Sequence, residues 1–258
     1  MRCLTYDFSD CSIIVTGSTR GIGWEIAREL MIFGARVGVT GRDSDRLAQI
    51  TLEAEKNGWK CSTCRADMRK AEDIAAMTDQ FAREFGRIDG LVNNAGMNIM
   101  QSIGSLTPEA IQEVVQVNLL APMLVTNAVV PYMKRQRGGS IVNIASLSSV
   151  TGFYEHAAYC ASKEGLLGFT NATASELGRY GIRINSVGPT VVLAELGKEI
   201  WDADKQKRER MKSFIPLGRF VKPEEVASTV LFLLSDGASM ISGDFILIDG
   251  GYMSGKGI

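Results

Sequence analysis

Three side chains within the stretch SLSSVTGFYEHAAYCASK have the types and spacing for a proton transfer: Ser146, Tyr159 and Lys163. The pattern Tyr159-x-x-x-Lys163 sets two side chains on one face of a helix, one turn apart. A phenol titrates near pH ~10, and a neighbouring ammonium favours the phenolate and pulls that value towards neutrality. The pair therefore reads as a general acid/base for a hydroxyl or a carbonyl. Ser146 adds a hydroxyl that could hold the substrate oxygen. Taken alone, the same spacing also fits a surface tyrosine beside a solvated lysine. His156, the only histidine, precedes Tyr159 by three positions. It could reach the same pocket or stand in solvent in the first helical turn.

A second group of residues lies upstream. Ser12 to Thr16 reads as a strand, and WEIARELMIF as a helix. Between them runs Thr16-Gly17-Ser18-Thr19-Arg20-Gly21-Ile22-Gly23. Strand, glycine turn and helix make an anion cradle of backbone N–H groups at the positive helix end. Gly17 permits the turn, Gly21 lets a ligand approach the backbone, and Gly23 lets helix pack on strand. The glycine spacing differs from the dinucleotide fingerprint, and the lysine of a P-loop is missing. After the second strand, Arg36 to Thr40, the chain continues Gly41-Arg42-Asp43. An acidic residue there would bind a ribose 2′-OH, an arginine a 2′-phosphate. Arg42 with Arg20 suits a doubly charged phosphate. NADP(H) is therefore favoured and NAD(H) stays possible, since Asp43 could turn back and reverse the choice.

The remaining elements must carry such a site. Short β-branched runs alternate with helical patterns, which indicates a parallel sheet covered on both faces. Strands are expected at 12–16, 36–40, 60–65, 88–92, 139–145, 182–187 and 245–248. Helices are expected at 44–57, from about 69, at 107–133, 155–178 and 223–234, with a charged helical stretch at 191–213. Asp67, at a strand's ligand end, could accept from an adenine amino group or cap the next helix. Asn93-Asn94-Ala95-Gly96 leaves room for a ligand, or is a plain turn. Pro122 falls inside the long helix and deprives the Asn118 carbonyl of its partner. A kink is expected there, with or without a role.

Composition bounds the function. The chain has 258 residues, is 45% hydrophobic and carries a formal net charge of −1. Nothing global points to nucleic acid or an anionic membrane. The start, MRCLTYDFSD, shows no apolar segment of a secretory signal, and apolar runs such as Val230–Leu234 are short. Five cysteines, Cys3, Cys11, Cys61, Cys64 and Cys160, read as reduced thiols in a cytoplasm. Cys61-x-x-Cys64 has no second pair, so buried lone cysteines and no metal are expected.

With Thr16-Gly17-x-x-x-Gly21-x-Gly23, Asp67, Asn93-Asn94-Ala95-Gly96, Asn118, Ser146, Tyr159-x-x-x-Lys163 and Pro189 in order, the whole chain resembles the short-chain dehydrogenase/reductase family. The likeness is to its subgroup of about 250 residues, near the carbonyl, sugar and polyol reductases. It implies a single Rossmann-type α/β domain over 1–258, a doubly wound parallel sheet of about seven strands with helices on both faces. A substrate lid at about 190–215 and a cytoplasmic homotetramer are further implications. Tyr159 would be the acid/base, and Lys163 would lower its pKa and hold the nicotinamide ribose. Ser146 would bind the substrate oxygen, and Asn118 the water of a proton relay through its carbonyl. Gly17, Ser18, Thr19, Arg20, Gly21, Ile22 and Gly23 would cradle the cofactor, and Asp67 and Met68 would border adenine. Asn94, Ala95 and Gly96 would meet the adenosine ribose, with Pro189 and Val192 also against the cofactor. The family often has Pro-Gly-x-x-x-Thr after the sixth strand. This chain has Thr190 and Ala194 at those glycine and threonine positions, so the carboxamide anchor would be Thr190 or backbone groups instead.

The reaction expected is hydride transfer between nicotinamide and a small carbonyl or alcohol, such as a sugar or polyol. Asn98, Ser148, His156 and Glu195 are the polar substrate candidates, with Met97, Leu147, Phe153 and Trp201 beside them. One alternative is a 3-ketoacyl-carrier-protein reductase, with Lys134, Arg135 and Arg137 as a docking patch. Another is a nucleotide-binding regulator without turnover.

Overall fold

Runs rich in Ile and Val form most of the strands because branched side chains pack well on a pleat that is buried on both faces. The computed structural model describes residues 6–194, 201 and 203–255. Its strands are β1 (Ser12–Val15), β2 (Arg36–Gly41), β3 (Cys61–Arg65), β4 (Gly90–Asn93), β5 (Gly139–Ile144), β6 (Ile182–Pro189) and β7 (Phe245–Ile248). They make one parallel sheet in the order β3-β2-β1-β4-β5-β6-β7.

Alternation divides the core in two. Ile13 and Val15 of β1 face one cluster, and Ile14 faces the other. The first is closed by α1 (Gly21–Ile32), α2 (Ser44–Asn57) and a late helix, Pro223–Leu234, through Ile26, Leu30, Leu47, Ile50, Val226 and Val230. The second is closed by α3 (Ala71–Phe85), a helix over Ala121–Gln136 and one over Ala157–Leu177. Their contributions include Met77, Phe81, Val125, Val129 and Leu177. This is the doubly wound α/β sheet the sequence implied. The strand order reverses between β1 and β4, so the loops leaving those strands part and open a crevice at their C-terminal ends.

The long helix expected at 107–133 is three pieces. α4 (Pro108–Val115) leads into a π turn over Gln116–Leu120, and α5 (Ala121–Gln136) follows. Pro122 lacks an N–H, and the Ala121 N–H reaches back five residues to the Gln116 carbonyl. The irregularity expected from Pro122 is thus a π turn with Asn118 at its middle. The continuous helix 108–136 has the length and hydropathy of a membrane span, contrary to the short apolar runs counted above. Val125, Val129 and Met133 nonetheless pack in the core beneath the sheet, as in a core helix.

α6 (Ala157–Leu177) starts two residues later than expected, because Glu155 takes a left-handed φ of 62°. The stretch 191–213 is only partly helical among the described residues: Val192 bridges to Val221, and α7 covers Lys205–Lys212. The last helix, α8 (Pro223–Leu234), and β7 match expectation. Residues 195–200 and 202, within the expected lid, lie outside the described residues.

Candidate active site

The glycine turn leaves β1 and enters α1 at the crevice. Gly17 and Gly21 have φ of 60° and 61°, a region that side chains disfavour. A Cβ on Gly17 would stand 2.8 Å from the Ala95 Cα. One on Gly23 would overlap the Asn94 amide nitrogen and lie 2.6 Å from the Gly17 carbonyl oxygen. Gly23 thus admits the loop after β4, a different neighbour from the strand expected. α1 has no side-chain cap and no acid in its first turn, so its leading N–H groups and positive field are available to an anion. Thr16 Oγ1 accepts from the N–H groups of Asn94 and Ala95, at 3.0 and 3.1 Å. The Asn94 amide donates to the Thr16 and Gly17 carbonyls. These bonds tie the two lips of the crevice together.

Beside this turn lies a cleft of about 510 Å³. Every expected cofactor residue lines it except Ser18. Ser18 is fully buried, donating to the Val15 carbonyl at 2.6 Å and accepting from the Thr40 N–H at 3.0 Å. Its hydroxyl clamps the turn to β2 and faces no ligand. Arg20 and Arg42 border the cleft with exposed side chains. Asp43 accepts from the Arg46 N–H at 3.0 Å and caps α2, so its carboxylate is already engaged. Asp67 is held by Arg69 at 3.0 Å, which brings its carboxyl down to about 2. It caps no helix, since the N-cap of α3 is Lys70. A cradle that Cβ atoms would fill, an open helix N-terminus and two exposed cations together fit a dinucleotide with its phosphates.

The reacting end lies where β5 stops. Ser146 opens a turn over Leu147–Ser149, and its Oγ accepts from the Ser148 N–H at 3.0 Å. Ser149 accepts from the Ser146 N–H and donates to the Lys163 carbonyl at 3.0 Å, which fastens this turn to α6. The Lys163 Nζ is buried, donates to the Ile144 carbonyl at 2.7 Å and lies 5.8 Å from the Tyr159 ring centre. Burial brings the Lys163 ammonium down to about 8. The Tyr159 phenol is raised from its ordinary value by burial, against a smaller opposing hydrogen bond with Ser146. This corrects the expectation that Lys163 pulls the phenol towards neutrality. In this structure desolvation outweighs the Ser146 hydrogen bond at Tyr159, and burial disfavours the charged form of both groups.

Asn118 is fully buried and its side chain is spent: Oδ1 accepts from the Met97 N–H, and Nδ2 donates to the Met97 carbonyl, both at 2.8 Å. Nδ2 also reaches Ser162 Oγ at 3.2 Å. Asn118 borders neither cleft, whereas the adjacent Val117 lines the first.

A second cleft, of about 680 Å³, meets the first along Ser146, Tyr159, Pro189 and Thr190. Asn98, Ser148 and His156 line it as expected, while Met97 faces the first cleft. Glu195 lies outside the described residues. His156 is half-buried, with its ring edge-on to Tyr159 at 6.0 Å. Nδ1 sits 2.6 Å from the Tyr154 carbonyl. It therefore donates there, which leaves Nε2 as the free ring nitrogen. That arrangement answers the question left open between pocket and solvent.

A match to the family described as enoyl-(acyl carrier protein) reductase covers residues 17–253. The chain belongs to the short-chain dehydrogenase/reductase family. It is 38% identical to an L-xylulose reductase of Caenorhabditis elegans, over 96% of this chain and 97% of that one. It is 37% identical to a D-threitol dehydrogenase of Mycolicibacterium smegmatis, over 93% and 91%. A gluconate 5-dehydrogenase of Burkholderia cenocepacia J2315, in complex with NADP and tartrate, superposes with a TM-score of 0.91 at 27% identity, over 97% and 98%. As a short-chain dehydrogenase/reductase, this protein is an oxidoreductase acting on CH–OH and C=O groups with NAD(P).

Sequence reasoning missed several residues that this dehydrogenase/reductase brings to its clefts. Tyr154, Glu155, Lys207, Arg210, Met211 and Phe214 line the second. None of them left a trace in the sequence, Glu155 included: it reads as the start of a helix, and its left-handed backbone instead ends the loop before α6. Of the cysteines, Cys61 is pushed up to about 12 by burial. No cluster of metal-ligating side chains occurs among the described residues.

Proposed function

We propose that the protein reduces the carbonyl of a small sugar, or oxidises the matching polyol, and prefers NADP(H). The observation that carries this reading is the meeting of the two clefts at Ser146 and Tyr159. When bound, the cofactor supplies or accepts the hydride. Gly17, Thr19, Gly21, Ile22 and Gly23 hold its phosphates, with Arg20 and Arg42 on the 2′-phosphate. Asp67 and Met68 border adenine, and Ala95, Gly96, Lys163, Pro189 and Val192 line the way to the reacting end. Ser146 Oγ holds the substrate oxygen. The Tyr159 hydroxyl gives its proton to that oxygen in reduction and takes it back in oxidation. Burial favours the neutral phenol, the form that can donate the proton. Lys163 offsets the phenolate charge, and the Asn118 carbonyl in the π turn is the anchor for a relaying water.

Asn98, Ser148 and His156 Nε2 offer hydrogen bonds to hydroxyls next to the reacting carbon. Phe153, Trp201 and Phe214 cover the carbon skeleton. The stretch 190–215 is the lid in this reading. The test is a panel of ketoses and polyols against apolar ketones and a carrier-protein thioester, each with NADPH. Turnover confined to the hydroxylated substrates supports the reading. Equal turnover of apolar ketones, or turnover of the thioester alone, sinks it.

The carrier-protein alternative needs a docking surface near the site. Lys134 and Arg135 end α5, and Arg137 follows ahead of β5, at the N-terminal end of that strand and so opposite Ser146. Lys134 and Arg135 rest over the Tyr180 and Tyr132 rings. A second reading has a specific observation behind it: Lys207 and Arg210, one turn apart on α7, both line the substrate cleft. They would favour a carboxylated sugar over a neutral one. Aldonates in the same panel decide between the two.

The assembly proposed is a homotetramer in the cytoplasm. Leu120, Met123 and Leu124 are 41%, 38% and 38% exposed along one helix, a face suited to a second copy. Cys11, Cys61, Cys64 and Cys160 are free thiols, which suits a reducing compartment.

A further inference from the structure

One wall of the reacting end is nearly bare of hydrogen-bonding side chains. Where the chain leaves β6 it lines the cleft with Pro189, Thr190, Val192 and Ala194, of which only Thr190 has a hydrogen-bonding side chain. Thr190 directly follows β6, and its N–H donates to the Ile248 carbonyl at 3.1 Å. The residue is 8% exposed and borders both clefts. Its Oγ1 is sealed from solvent and has no hydrogen-bond partner among the described residues. Buried hydroxyls are nearly always paired, and an unpaired one costs stability. The orphaned oxygens of Tyr6, Ser12 and Asn93 border neither cleft. Thr190 stands apart from them because it is the one whose residue borders the clefts.

We propose that Thr190 orients the cofactor, its hydroxyl hydrogen-bonding the carboxamide of the nicotinamide ring. The assignment rests on the first cleft being the dinucleotide site. A nicotinamide ring carries one hydrogen-bonding substituent, and on this wall one side chain can answer it. Threonine exchanges its hydroxyl and methyl by a single rotamer step, so the oxygen can turn to the cleft without backbone movement. Ala194 stands over the glycine turn, its Cβ 3.7 Å from where one on Gly21 would be, and offers only a methyl. A ring pinned through its carboxamide presents one fixed face towards Ser146 and Tyr159. The unpaired hydroxyl of the ligand-free protein is then a cost that cofactor binding relieves.

The experiment pairs Thr190→Val with Thr190→Ser and reads binding and stability rather than turnover. Dissociation constants are measured by fluorescence for NADPH and NADH. Calorimetry supplies those for 2′-phospho-ADP-ribose and ADP-ribose, which lack the nicotinamide. Thr190→Val should weaken whichever dinucleotide binds by about tenfold, the worth of one hydrogen bond, and leave its matching fragment within about twofold. Thr190→Ser should restore the affinity. The ligand-free Val variant should melt at or above the wild-type temperature, since valine fills the volume without an orphaned hydroxyl. Wild-type dinucleotide affinity in the Val variant overturns the assignment, as does equal weakening of dinucleotide and fragment, or a lowered melting temperature. Wild-type protein that binds neither dinucleotide overturns the cofactor reading itself and the assignment with it, so the two failures differ.

Discussion

The Lys163 ammonium and the Ile144 carbonyl are 2.7 Å apart in the wall of the first cleft, where the lysine is only 4% exposed. One hydrogen bond to a neutral oxygen does not replace an ammonium's hydration. Burial accordingly lowers Lys163 from 10.5 to about 8. A base whose folded pKa is depressed binds fewer protons folded than unfolded between the two values, so stability on its account rises with pH there. Below pH ~8 both states are protonated and the full burial cost is present. The buried Cys61 thiol, raised from 9 to about 12, acts in the opposite sense above pH ~9. The clean window is therefore between about pH 8 and 9. The melting temperature of ligand-free wild type should climb across it relative to Lys163→Met. Parallel curves for the two proteins would show that Lys163 does not titrate there.

Tyr159 and Ser146 meet at the junction of the clefts with distinct tasks, so their variants should differ in kind. Tyr159→Phe removes the proton donor and should cost about 10²- to 10⁴-fold in kcat while cofactor affinity holds. Ser146→Ala removes the grip on the substrate oxygen and also the acceptor for the Ser148 N–H. It should lower kcat and raise KM together. Stopped-flow turnover with separate cofactor titrations reads both. Retention of more than a tenth of wild-type kcat by Tyr159→Phe would remove the tyrosine from the proton transfer.

The parts legible in the sequence were those where one residue type answers one constraint. Gly17 must make the tight turn, which it does at a positive φ, and Pro122 must break α-helical pairing, whatever surrounds them. Ser18 was misread because a serine in a glycine turn looks the same whether it faces a ligand or the Thr40 N–H. The raised Tyr159 pKa was misjudged because spacing reveals a neighbouring charge but not the depth of burial. Lys207 and Arg210 went unnoticed because α7 has no apolar periodicity to show which face turns inward. The substrate cleft is assembled from loops far apart in the chain, and no local pattern joins them.

Arg42 should decide the cofactor. Its guanidinium is exposed beside the cleft, and the nearby Asp43 carboxylate is occupied by its cap on α2. Arg42→Ala should weaken NADPH by about tenfold or more, leave NADH nearly unchanged, and flatten the salt dependence of NADPH binding. Fluorescence titration at two ionic strengths measures all three. NADH binding wild type as tightly as NADPH would turn the reading towards an NAD-dependent polyol dehydrogenase.

Gly21 and Gly23 look interchangeable in the motif but should fail differently as alanines. At Gly21 a Cβ would have open space, its nearest neighbour being Ala194 Cβ at 3.7 Å, so the penalty is the left-handed backbone. That costs on the order of 1–2 kcal/mol and leaves the fold intact. At Gly23 a Cβ would overlap the Asn94 amide and crowd the Gly17 carbonyl. The Asn94 bonds that tie the loop after β4 to the glycine turn could not survive it. Gly21→Ala should therefore fold, melt a few degrees lower and bind cofactor weakly, because its new methyl stands where phosphates approach. Gly23→Ala should lose both stability and cofactor binding, and Asn94→Ala should relieve part of the stability loss by vacating the overlapping atoms. If Gly23→Ala melts like Gly21→Ala, the Asn94 amide moves aside freely and does not hold the two lips of the crevice together.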